Sequence, residues 1–123
     1  YHPQFIEIAK EAADGVYLTF GYTDKSTDSY KKYINKYKEM FGEPGAYSGY
    51  SYDSAYVLLS AIKRAKSTDP AKIKKEIMDM NFQGATKKIK FMENGDSGSN
   101  YVIWTVKDGE FKVYWNPDTG KLF

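Results

Sequence analysis

The run Val16-Tyr17-Leu18-Thr19-Phe20 constrains this chain more than any other stretch. It is β-branched and aromatic, carries no charge, and lies between Asp14-Gly15 and the polar stretch from Gly21 to Ser29. Such a run reads as a strand buried on both faces. Strands of that kind sit in parallel sheets covered by helices on both sides. No parallel neighbour for it is visible in the 123 residues. Its flanking strands are therefore expected outside this chain. The chain opens Tyr1-His2-Pro3-Gln4-Phe5, without Met and already in a helical pattern, and is expected to be a piece of a longer protein.

Helical periodicity surrounds that strand. Pro3 suits a first helical turn, and Phe5, Ile8, Ala9 and Ala12 recur at helical spacing, which predicts a helix over 3–13 ended by Asp14-Gly15. Tyr30, Tyr33, Ile34, Tyr37 and Phe41 form one stripe of a helix over 28–41, with Thr27 or Asp28 as its cap and Gly42-Glu43-Pro44-Gly45 as its stop. A helix over 48–66 is expected to bury Tyr52, Ala55, Tyr56, Leu59 and Ile62, with Val57 and Leu58 widening the stripe. Asp69 and Pro70 then cap and start a helix over 70–80 that buries Ile73, Ile77 and Met80. After Gly84 the period changes to two. Lys88 to Phe91 reads as a strand, and Glu93-Asn94-Gly95-Asp96 as a turn. Tyr101–Val106 and Phe111–Trp115 form a hairpin through Lys107-Asp108-Gly109-Glu110.

Composition narrows the function classes. A chain that is 41% hydrophobic and 28% charged can build a core, and its length suits one domain. A net charge of +2, from 18 basic and 16 acidic residues, is too near neutral for a nucleic-acid partner. The pairs Lys31-Lys32 and Lys87-Lys88 read as solvated faces. The absence of cysteine removes disulfides, thiolate catalysis and Cys-based zinc sites, and it fits an exported protein. No apolar run approaches the roughly 18 residues of a membrane span. Aromatic residues reach 17%, with 12 Tyr; tyrosine suits a ligand cleft, an interface or a core edge near water, and composition leaves these three open.

Catalytic and metal readings find little support. His2 is the only histidine, so a zinc site would lack its other nitrogen or sulfur ligands, and a serine nucleophile would lack a well-held base. Asp14 and Glu11 read as solvated carboxylates beside a helix end. The stretch Glu93–Asp96 lacks the alternating oxygen ligands of a calcium loop, and no glycine-rich phosphate loop occurs. No metal, no cofactor and no enzymatic activity are expected.

Five stretches, in order, carry a family likeness. They are Phe5-Ile6-Glu7-Ile8-Ala9-Lys10-Glu11-Ala12-Ala13-Asp14-Gly15-Val16-Tyr17, Tyr37-Lys38-Glu39-Met40-Phe41-Gly42-Glu43-Pro44-Gly45-Ala46-Tyr47, and Tyr52 to Leu59 with Ala61 to Ala65. Phe82-Gln83-Gly84-Ala85-Thr86 with Ile89-Lys90-Phe91 and Glu93 to Asp96 follows, then Val106 to Phe111. Together they resemble the C-terminal portion of the branched-chain amino-acid-binding proteins, the type I periplasmic solute-binding proteins of ABC importers. The resemblance implies an α/β fold of two lobes clamping a ligand: helix, buried strand, three helices, strand and C-terminal hairpin. It implies that 1–20 and 98–123 belong to the C-terminal lobe and 25–90 to the N-terminal lobe. Hinge crossings fall near 20–24 and 91–98.

The same resemblance implies capture of an amino acid, branched-chain or similar, outside the cytoplasmic membrane, with an ABC transporter permease and the preceding part of the parent protein as partners. A ligand-sensing ectodomain of the same fold, and a self-assembling Tyr-rich fragment, are the alternatives; the isolated chain, where ordered, is expected as a self-associated or swapped oligomer, or else beside the rest of its parent cut by a protease. The family's carboxylate grip and its ammonium-binding acid lie before Tyr1. Its aromatic at the start of the long helix maps to Tyr47, with Ser48 and Tyr50 beside it and Tyr1 at the cleft edge as further ligand-contact candidates. Gly49 departs from the family pattern and is expected to loosen that helix start.

Overall fold

The computed structural model describes residues 1–98 and 100–122, with Lys121 described in its backbone only. In chain order the elements are helix α1 (Pro3–Ala9), a 3-10 turn (Lys10–Ala13), strand β1 (Tyr17–Gly21), and helices α2 (Asp28–Phe41), α3 (Ser48–Ala65) and α4 (Pro70–Met78). Strands β2 (Asn81–Gln83), β3 (Lys88–Lys90), β4 (Tyr101–Lys107), β5 (Glu110–Asn116) and β6 (Lys121–Leu122) complete the chain. They divide into two compact units: Tyr1–Tyr22 with the stretch after Gly98, and Thr23–Gly98.

The first unit is built on a four-stranded antiparallel sheet of order β1-β4-β5-β6. The strand expected to be buried on both faces, with its neighbours outside the chain, has a partner within it: Tyr17 lies opposite Thr105 and Gly21 opposite Tyr101. Its burial alternates, and Tyr17 is 58% exposed. The outward residues, Tyr17 and Thr19, are strand formers whose polar tips tolerate water, so the alternation does not register as a charge pattern. Leu18 faces Trp104 and Phe20 faces Val102 across β1–β4, while Trp104 faces Val113 and Val106 faces Phe111 across β4–β5. These pairs make one apolar face, since directly opposite residues share a side.

The helix predicted over 3–13 stops at Ala9. His2 caps α1, its Nδ1 accepting from the Gln4 N–H at 3.3 Å, and Pro3 occupies the first position. Lys10 then turns to φ +50°, and a short 3-10 turn follows. The Asp14 carboxylate accepts from the Asp108 N–H at 3.2 Å, so this acid ties down the hairpin turn as well as facing water. That turn has two residues between the facing pair Lys107 and Glu110, with Asp108 at φ +56° and Gly109 at φ +74°. Two consecutive left-handed residues match the twist of the flanking strands. Gly109→Ala is expected to cost about 1–2 kcal/mol, because a Cβ crowds the carbonyl there. A lowered denaturant midpoint at unchanged slope would report it.

The second unit holds α2–α4 and the small antiparallel pair β2–β3. Thr27 caps α2, its hydroxyl accepting from the Tyr30 N–H at 3.2 Å, and Gly42 ends it at φ +81°. Asp69 caps α4 through the Ala71 N–H at 2.8 Å, with Pro70 first in the helix. The core gathers Val57, Ala61, Met80 and Ile89, with Ile73, Ile77, Phe82 and Phe91 packed against it. The buried residues of α3 are Asp53, Val57 and Ala61. Tyr52, Tyr56 and Leu59, expected to be its core stripe, are exposed. The true inward row is rotated because its first member is a carboxylate, which apolar periodicity does not count. Rings run in contact from Phe41 through Tyr37, Tyr33, Tyr52 and Tyr56 to Phe82, with centroid separations of 5.0–6.5 Å. β2 and β6, too short to leave a periodic signal, were not foreseen in the sequence.

Candidate functional site

Three of the four candidate ligand contacts lie at the start of α3. Tyr47 precedes the helix, makes no side-chain cap to it, and is 64% exposed. The Ser48 hydroxyl donates to the Tyr37 hydroxyl at 3.3 Å, and its N–H donates to the Gly45 carbonyl at 3.1 Å. Tyr50 is half-buried, and its carbonyl accepts from the Ser54 hydroxyl at 2.9 Å. Tyr1 belongs to the other unit. Its ring stacks on Phe20 at 4.7 Å and 8°, and lies 4.7 Å from Trp104 and 4.6 Å from Phe111.

What holds the start of α3 in place was not legible in advance. Asp53, one turn on from Gly49, is buried and accepts from the Ala85 N–H at 2.7 Å, the Thr86 N–H at 2.8 Å and the Thr86 hydroxyl at 2.6 Å. Three donors satisfy one carboxylate without any cation among them. The approach is close: a Cβ on Gly84 would stand 2.8 Å from Asp53 Oδ2 and 2.8 Å from the Ile89 side chain. A Cβ on Gly49 would stand 2.7 Å from the Thr86 methyl. The missing Cβ of Gly49 thus lets the 84–86 turn press against the helix start, a packing role beyond its conformational freedom. The one sequence signal for this clamp is an aspartate inside a helix, where its propensity is poor.

Against Gly49 lies the ring of Tyr33, 5% exposed, its buried hydroxyl without a hydrogen-bond partner among the described residues. Burial pushes its phenol above the ordinary value of 10.0, and the neighbouring Tyr37 adds to the rise. Lys87, read from sequence as solvated, is half-buried. Its ammonium donates to the Ser97 hydroxyl at 2.9 Å, to the Ser97 carbonyl at 3.2 Å and to the Gly98 carbonyl. Lys87 was misread because its acceptors are uncharged backbone and hydroxyl oxygens, so no acidic residue marks them.

Among the described residues no group of three or more His, Cys, Asp or Glu gathers in a way that could hold a metal ion. Nor is any described helix long and apolar enough to cross a membrane. The start of α3 offers aromatic surface, hydroxyls and backbone groups.

Comparison with known proteins gives this geometry a family. Residues 1–110 match the family model described as periplasmic binding protein. A Leu/Ile/Val-binding protein homolog of Brucella abortus is 28% identical over 113 residues, which cover 90% of this chain and 30% of that protein. An amino acid binding protein of Pseudomonas aeruginosa is 29% identical over 107 residues, covering 86% of this chain and 27% of that protein. Among solved structures, the leucine binding protein LivK of Thermotoga maritima superposes with a TM-score of 0.79 at 41% identity, over 95% of this chain and 35% of that one. LivJ of Streptococcus pneumoniae, solved with isoleucine, gives a TM-score of 0.75 at 20% identity, over 90% of this chain and 33% of that one, and shares the fold. The chain thus spans about 30% of the length of the curated relatives it matches. With the mixed helix–strand fold of type I periplasmic binding proteins and a family match over residues 1–110, the chain belongs to the periplasmic binding protein family.

Proposed function

We propose that this chain is the C-terminal part of an exported solute-binding protein that captures an amino acid, branched-chain or similar, and delivers it to an ABC transporter permease. The observation that carries the reading is the path of the chain: it leaves one compact unit after Tyr22, builds a second from Thr23 to Gly98, and returns. In this reading the first unit belongs to the C-terminal lobe and the second to the N-terminal lobe, with hinge crossings at the two boundaries. Binding is hinge closure around a ligand with no covalent step. The protein acts as a binder and not as an enzyme, in the periplasm or anchored outside the cytoplasmic membrane.

In this reading Tyr47 is the foremost ligand contact, with Ser48 and Tyr50 adjoining it and Tyr1 at the cleft edge. An exposed ring at a helix start, held on a clamped base, offers apolar area at small entropic cost. In the full-length protein, titration calorimetry against leucine, isoleucine, valine and other amino acids is expected to give saturable binding. Tyr47→Ala is expected to weaken it by about 1–3 kcal/mol. Absence of binding to any amino acid would overturn the functional reading, and unchanged affinity in Tyr47→Ala would remove that ring from the site.

A further inference from the structure

The clamp under α3 continues along the chain to a place where the second unit ends. Asp53 fixes the amides of Ala85 and Thr86, and the Gly84 N–H donates to the Lys87 carbonyl at 2.9 Å, closing the turn. The backbone of Lys87 is thereby fixed relative to α3. Its side chain then spans ten residues of sequence to meet three oxygens, two from Ser97 and one from Gly98. An ammonium has three protons and no acceptor capacity, so these contacts use every donor it has. None of the three acceptors carries a charge that would draw a lysine to the surface. Gly98 is the last residue of the second unit, so the ammonium grips the chain where it departs.

We propose that Lys87 is a positioning residue for lobe closure: it pins the departing chain to the base that carries Tyr47, so that the ligand wall and the second hinge move as one body. The proposal rests on the solute-binding reading for its meaning in ligand capture, but the pin itself is a property of the chain. A staple of this kind acts on closure by narrowing the range of directions the crossing can take. Less conformational freedom is then lost when ligand closes the lobes. The path of coupling is physical and short: the start of α3, Gly49 and Asp53 against Thr86, then Lys87, then Ser97 and Gly98.

The chain has no cysteine, so Lys74→Cys and Glu110→Cys, at exposed positions in the two units, accept spin labels without competition. Pulsed dipolar spectroscopy on the full-length protein labelled at these two positions is expected to give a narrower distance distribution with Lys87 than with Lys87→Met, which keeps the stem and removes the donors. Lys87→Arg is expected to restore the narrow distribution. Thr27→Ala, which removes the α2 cap in the same unit, is expected to lower the melting temperature without broadening the distances. A distribution unchanged by Lys87→Met would overturn the proposal. So would equal broadening by Thr27→Ala, which would mark the effect as lost stability alone. In the full-length protein, Lys87→Met is expected to weaken every amino acid by a common factor, about tenfold, keeping their rank order; a change confined to one ligand would overturn the positioning role. Should the full-length protein bind no amino acid, the functional reading fails while the distance measurement still decides whether Lys87 pins the crossing.

Discussion

Asp53→Ala is expected to cost this chain about 3–5 kcal/mol of stability. The substitution leaves the Ala85 N–H, the Thr86 N–H and the Thr86 hydroxyl buried without their acceptor. Each orphaned buried donor costs about 1–3 kcal/mol, reduced where the turn relaxes or water enters. A domain with a total stability of about 5–15 kcal/mol feels such a loss as a large fall in its unfolding midpoint. Asp53→Asn keeps one carbonyl oxygen but points an amide at a backbone N–H, so it is expected to lie between the two. Chemical denaturation of the three proteins checks this, and a cost below about 1 kcal/mol for Asp53→Ala would mean that the 84–86 turn finds other partners freely.

Tyr33 is expected to give two shifts of opposite sign. Tyr33→Ala removes a ring that touches Tyr30, Tyr37 and Tyr52 at centroid distances of 6.3, 5.6 and 5.0 Å, and should cost about 3–5 kcal/mol. Tyr33→Phe keeps those contacts and removes a hydroxyl that has no hydrogen-bond partner among the described residues, so it should stabilise by about 1 kcal/mol. The two also differ in alkali. The folded phenol titrates above its unfolded value of 10.0, so above that pH the unfolded state holds fewer protons and stability falls as pH rises. Tyr33→Phe should lack that part of the alkaline decline. Urea midpoints of the wild type and both variants, at neutral and high pH, measure all three effects. A destabilised Tyr33→Phe would mean that the hydroxyl has a partner after all.

Helix limits set by capping chemistry were legible in advance. Thr27, Asp69 with Pro70, and the Asp108-Gly109 turn each act within about three residues, and the structure uses each as its sequence implies. The resemblance to branched-chain amino-acid-binding proteins was legible too, because five stretches in order constrain one another more than any one does alone. The candidate contacts Tyr47, Ser48 and Tyr50 came from that likeness and not from the chemistry of the residues. Sequence placed them at the start of α3; it did not indicate that Gly49 lies hard against Thr86.

The tertiary structure alone decided which groups meet across long separations. It paired β1 with β4, whose Trp104 Nε1 donates to the Phe20 carbonyl from 84 residues away. It turned Asp53 inward to reach Thr86 across 33 residues, and so set which face of α3 is buried. It drew Lys87 off the surface onto uncharged oxygens. Sequence by itself determined the local grammar of this protein: its caps, its tight turn, the lack of thiol chemistry and the order of its family motifs. These depend on neighbours a few bonds apart. Burial and buried polar pairing depend on free-energy differences settled only when distant segments exclude water together, and no local pattern records which partner a carboxylate or a lysine will find.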